Sequence, residues 1–97
     1  MGKPEGRVER HFVKSAERNG FLHFKFTAPS TNGVPDRILV GHGLTLFVEL
    51  KAPGEKPRKL QTVVMDDMRQ HGAVVYVADT KEAVDSIFAE LTSKYKF

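Results

Sequence analysis

Apolar residues recur at helical spacing near the start of the chain, where Val8, Phe12 and Ala16 line up with Val13 beside them. The period predicts a first helix from Pro4 to Asn19, with Pro4 at an early position that needs no amide donor and Asn19-Gly20 as the stop. Alternation then takes over: Phe21 to Phe26 reads as a strand with Phe24 and Phe26 on one face. Ala28 to Gly33 is a polar loop. Two further β-rich runs follow, Val34 to Val40 and Leu44 to Lys51, with Gly41-His42-Gly43 as the turn between them and Ala52-Pro53-Gly54 as a sharp end. Pro57 to His71 reads as a second helix on the stripe Leu60, Val63, Val64 and Met68, closed by Gly72. The continuous apolar run from Ala73 to Val77 suits a buried parallel strand. Asp79-Thr80 caps a last helix from Lys81 to about Lys94, with Val84, Ile87, Phe88 and Leu91 inward. Tyr95-Lys96-Phe97 is a tail with no assigned element.

The resulting order is αβββαβα. Three strands form an antiparallel meander, and the second helix is a right-handed crossover that brings the last strand parallel to the third. The expected architecture is an α/β sandwich with a four-stranded mixed sheet flanked by helices.

Within the hairpin, a two-residue loop of His42-Gly43 sets Gly41 opposite Leu44 and therefore Asp36 opposite Glu49. Directly opposed Cβ atoms lie roughly 4.5–5.5 Å apart. Side chains alternate, so Glu49 and Lys51 share a face while Leu50 points the other way. Asp36, Glu49 and Lys51 then cluster on one face with Ile38, Val40 and Phe47. Leu39, Leu46, Val48 and Leu50 take the other. A slip of one residue would destroy the cluster. Both faces are apolar, which predicts helices covering both sides of the sheet.

Composition narrows the chemistry. Ninety-seven residues with 40% hydrophobic and 28% charged content fit one domain spanning residues 1–97. With no cysteine, disulfides and thiolate metal sites are excluded, and a reducing cytoplasm is the expected setting. Neither a membrane span nor a signal peptide is visible, so no membrane partner is expected. The net charge of +3 is a mild bias toward polyanions. His11, His23, His42 and His71 lack zinc-ligand spacing, and no Gly-rich phosphate loop or nucleophilic serine motif occurs. Two carboxylates and an ammonium are costly to gather near a core unless a divalent cation and a phosphate make the gathering favourable.

A carboxylate on the first helix, Pro35-Asp36 opening a strand, Glu49-x-Lys51 closing the next, and an early glutamine on the following helix together resemble the PD-(D/E)XK nuclease superfamily, with its restriction-endonuclease-like sandwich. Gly33-Val34-Pro35-Asp36-Arg37, then Phe47-Val48-Glu49-Leu50-Lys51-Ala52 and Gln61, resemble more closely the VRR-NUC domain, over a span from about Glu5 to Val77. The resemblance implies metal-dependent phosphodiester hydrolysis. It is to the stand-alone phage and bacterial sort, which implies a homodimeric Holliday-junction resolvase. A flap or duplex-end nuclease, or a non-catalytic DNA-binding module of the same fold, are the rival readings.

On this reading Asp36 and Glu49 are ligands of Mg²⁺ or Mn²⁺, with the backbone carbonyl of Leu50 as a third donor. The helix-one acid is Glu5 or Glu9, one turn apart; Glu9 would serve a second metal or hold a water. Lys51 orients the attacking water and stabilises developing negative charge. Gln61 faces back toward the Glu49 strand, where its amide bridges Lys51 or a phosphate. Lys56, Arg58 and Lys59 cluster at a helix start, where a docked phosphate offsets their clash with the helix dipole. Arg37, Ser30 and Thr31 are further candidate DNA contacts, with Arg10 and Lys14 behind them.

Overall fold

The structure, a computed structural model, describes residues 4–97. The order is α1 (Pro4–Arg18), β1 (Leu22–Lys25), β2 (Arg37–Gly41), β3 (Leu44–Leu50), α2 (Lys59–Gln70), β4 (Val75–Ala78) and α3 (Lys81–Tyr95). The four strands lie in the order β1-β2-β3-β4, antiparallel except for the parallel β3–β4 pair. The expected αβββαβα sandwich with a mixed sheet is the architecture observed. None of the described helices is long and apolar enough to cross a membrane.

Element ends moved for local reasons. β2 begins at Arg37 rather than Val34, because Pro35 has no amide to offer a ladder. β4 starts at Val75 rather than Ala73. There the amide of Ala73 is still held by the carbonyl of Met68, while Val74 accepts from the amide of Phe47. Thr80 alone caps α3, its Oγ1 accepting from the Ala83 amide at 3.0 Å. Asp79, expected to share that role, instead accepts from the Gly54 amide at 3.1 Å and ties down the loop after β3.

The hairpin turn sets the register. His42 and Gly43 both have positive φ, 53° and 79°, the conformation of a two-residue turn matched to strand twist. Gly41 pairs with Leu44 and Arg37 with Val48, so the ladder, continued by one residue, sets Asp36 against Glu49 as expected. Gly43→Val, a β-branched residue at that φ, is expected to destabilise the fold by about 1–2 kcal/mol. Denaturant titration checks it, and an unchanged midpoint would show that the turn can be rebuilt without loss. The tail closes over this turn: the Phe97 ring stacks on His42 at 3.8 Å and meets Phe21 edge-on at 5.5 Å.

The two sheet faces are covered unequally. Leu39, Leu46, Val48 and Leu50 are buried with Val8, Phe12 and Ala16 of α1 and Val84, Ile87, Phe88 and Leu91 of α3. The opposite face receives only α2, through Met65. The stripe expected on α2 is displaced by one position: Leu60 and Val63 are 53% and 57% exposed. The inward row is instead Gln61, Val64, Met65 and Met68, at helical spacing. Gln61 heads that row and its amide donates to Glu49. Helices therefore cover both faces as expected, but unequally, and Leu22 and Phe24 on β1 stay exposed beside the less covered part of the sheet.

Candidate active site

Asp36 and Glu49 are bound to each other's strands. The backbone amide of Asp36 donates to Glu49 Oε1 at 3.1 Å, and the amide of Leu50 donates to Asp36 Oδ1 at 3.2 Å. On its other side the Asp36 carbonyl accepts from the Phe26 amide at 2.9 Å, so the residue is anchored to both neighbouring strands. Glu49 is only 3% exposed. Its Oε2 accepts from Gln61 Nε2 at 2.9 Å and lies 3.2 Å from Lys51 Nζ. Three groups thus face this buried carboxylate: a backbone amide, a carboxamide and the Lys51 amine.

Asp36 has a poorer environment. Burial first, then the charge of Glu49, push its carboxyl from 3.8 up to about 6, against the Leu50 amide and Arg37, which favour ionisation. The two acids thus differ in their partners: Glu49 is met by three protein donors, whereas the Asp36 side chain accepts from the Leu50 amide and is disfavoured as a carboxylate by burial and by Glu49.

Gln61 reaches the site from the third residue of α2. Its Oε1 accepts from the Arg58 amide at 2.9 Å, which pins the helix start, while its Nε2 serves Glu49. The bridge expected toward Lys51 therefore goes to the carboxylate that Lys51 also contacts. Leu50 turns its side chain into the core, so only its backbone belongs to the site.

Glu9 does not join this group. Its Oε2 lies 2.7 Å from Arg37 Nη2, and it shares with Lys25, Phe26, Thr27, Asp36 and Arg37 a cleft of about 190 Å³. Among the described residues no three of His, Asp and Glu converge closely enough to cage a metal. The side chain of Glu5, the alternative helix-one acid, lies outside the described residues. Arg37 also departs from expectation: it is buried under α1, with its guanidinium 6.0 Å from the Phe12 ring centre. Alternation along β2 puts it on the face opposite Asp36, and Glu9 takes its charge, so it is not presented to a DNA backbone.

Ser30, Thr31, Lys56, Arg58 and Lys59 are all exposed. The loop before β2 and the start of α2 meet in a cleft of about 310 Å³ lined by Asn32, Gly33, Arg58, Leu60 and Gln61. Gly33 is required at this meeting: its φ is +94°, and a Cβ there would come within 3.1 Å of the Leu60 carbonyl oxygen. Sequence reasoning missed the crossed amide–carboxylate bonds between Asp36 and Glu49, although the hairpin register was the signal that contained them.

No family model matches the chain. The chain is 35% identical over 83 residues to a protein named "Putative nuclease p44" from Acyrthosiphon pisum secondary endosymbiont phage 1, an alignment covering 84% of this chain and 83% of that one. It is also similar to a solved structure named "VRR_NUC domain", with a TM-score of 0.84 and 29% identity over 91% of this chain and 97% of the other.

Proposed function

The chain belongs to the VRR-NUC family of nucleases, and we propose that it is a Mg²⁺- or Mn²⁺-dependent endonuclease cutting branched DNA, with four-way junctions as substrate and a homodimer as its working form. The observation that carries the reading is the placement of Asp36 against Glu49, with Lys51 and Gln61 both on Glu49 Oε2.

The donor set fits a hard divalent cation. Mg²⁺ takes oxygen ligands, commonly one or two carboxylates, and keeps several waters. Asp36 and Glu49 would supply the carboxylates and Leu50 a backbone carbonyl. Burial and Glu49 disfavour the charged form of Asp36, and such an ion would favour it. When bound, the cation supplies Lewis acidity toward the scissile phosphate and acidifies water. The rest is done by the chain. Lys51 is held beside Glu49, where it orients a water and stabilises negative charge developing on phosphate. Gln61 fixes Glu49 in place. Ser30, Thr31, Lys56, Arg58 and Lys59 hold the DNA backbone around the site.

Two features support a symmetric assembly on a junction. A four-way junction presents two equivalent strands, which a two-fold dimer with one site per subunit matches. Leu22 and Phe24 on β1 and Leu60 and Val63 on α2 are exposed apolar side chains, of the kind a second copy covers.

The test is cleavage of a labelled immobile junction beside flap, duplex and single-stranded DNA, with Mg²⁺, Mn²⁺ or EDTA. Symmetric junction cuts are expected in either metal and none in EDTA. Lys51→Ala is expected to slow cleavage about a hundredfold, the order of loss for one charge-stabilising donor. Cuts mainly in flaps would overturn the substrate. Binding without cleavage would overturn the catalytic reading in favour of a binding module.

A further inference from the structure

The outer side of α1 carries a row that the proposed site does not use. Arg7, Arg10, His11 and Lys14 fall on one helical face, and Lys81, the first residue of α3, lies against it. These five residues, four cationic side chains and a histidine, line a cleft of about 270 Å³. A second cleft of about 200 Å³ adjoins it, sharing Arg7 and Lys81 and adding Val8, Pro53, Thr80 and Glu82. Pro53 lies two residues beyond Lys51 in the loop that leaves β3. The basic row therefore connects, through Lys81 and Arg7, to the loop that leaves the catalytic strand.

The arrangement is unfavourable for the fold by itself. Arg7 and Arg10 are three apart and Arg10 and Lys14 four apart, so like charges face each other along the helix. Lys81 sits at a helix start and Arg7 near one, where cations oppose the dipole. Among the described residues Arg7, Arg10, Lys14 and Lys81 have no ion-pair partner. Asp85 is engaged with His11 at 2.7 Å, and Glu82 is the acid that borders the adjoining cleft. A chain of phosphates along the row reverses the sign of each of these terms.

Resting on the nuclease reading, we infer that this groove is a second nucleic-acid contact: a track for the phosphodiester backbone of a substrate arm, running from the loop after β3 along the outside of α1. The contact is with phosphate: Arg7, Arg10, Lys14 and Lys81 present cationic groups along the groove, the chemistry of backbone binding.

The experiment measures junction binding in a Lys51→Ala background over a series of salt concentrations. Arg7→Gln/Lys14→Gln is compared with Lys94→Gln/Lys96→Gln, which removes equal charge at the far end of α3. Loss of two phosphate contacts lowers the salt slope by about 1.8. The parent's affinity then falls about tenfold more than the track variant's between about 50 and about 200 mM salt. The control pair should follow the parent. Lys81→Gln, on a different helix, should lower the slope by about 0.9 and guards against a local effect on α1. Equal slopes for parent and track variants, with wild type still cleaving, would overturn the track alone. Equal losses in track and control variants would reduce it to net charge and also overturn it. Absence of DNA binding and cleavage in every form would overturn the nuclease reading with it.

Discussion

Asp36→Asn is expected to abolish cleavage and to raise the stability of the metal-free protein. Loss of a carboxylate that would hold the cation removes several kcal/mol of charge stabilisation, about a thousandfold in rate. Stability moves the other way. The Asp36 carboxyl sits at about 6 because burial and Glu49 disfavour its charged form. Its contribution to stability is therefore fully present below the unfolded value near 3.8 and is lost as pH rises through about 6. At neutral pH the ionised group is a liability that asparagine removes, while its oxygen still accepts from the Leu50 amide. Asp36 is partly open to solvent, which moderates the gain; about 1 kcal/mol, or several degrees in Tm, is the expected scale. Melts in EDTA from pH 4 to 8 check it: the variant should lack the wild type's decline between about pH 4 and about pH 6. Divalent-cation binding to wild type should weaken below about pH 6, because the cation then competes with a proton. A variant that melts lower than wild type at neutral pH would overturn the assignment of uncompensated charge to Asp36.

Glu49→Ala should do the opposite to the fold. Glu49 is buried and accepts from the Asp36 amide, the Gln61 carboxamide and the Lys51 ammonium. Deleting it strands three donors and leaves Lys51, itself largely buried, without its counter-charge. Breaking a buried pair from one side costs about 3–5 kcal/mol, which for a chain of this size lowers Tm by more than about 10 °C. Cleavage is lost as well, so activity alone does not separate the two acids; stability does. Thermal melts of both variants at neutral pH should straddle wild type. If Glu49→Ala melts with wild type, the bonds to Gln61 and Lys51 are not holding the site together.

The opposite signs expected for these two neighbours reflect how differently the fold treats them, and this difference was only partly legible in the chain. The alternating pattern of Ile38, Val40, Phe47 and Glu49, with a two-residue turn of His42-Gly43, was enough to place Asp36 across from Glu49, because a hairpin's register follows from its turn and its period. Asp36, Glu49 and Lys51 were readable for the same reason, since each residue's face is dictated by its own strand; Gln61 was carried by the resemblance to the nuclease family rather than by its helix. Glu9 and Arg37 were not. Their pairing joins the first helix to the second strand across 28 residues of sequence, and nothing local to either end announces it. The stripe on the second helix was misread because apolar residues were assumed to lead it. In the fold, Gln61 is bonded to Glu49 and Met65 is buried on the same side of the helix, so Leu60 and Val63 face outward.

The sequence by itself determined the order of elements, the hairpin register and the acids that share a face, all of which depend on periodicity and turn chemistry within short stretches. Tertiary structure alone decided which acid would be neutralised and which left strained, which sheet face would stay half open, and that Lys81 would complete the basic row begun by Arg7. Those outcomes depend on burial and on charges brought together from distant positions, and desolvation acts only once the chain has folded.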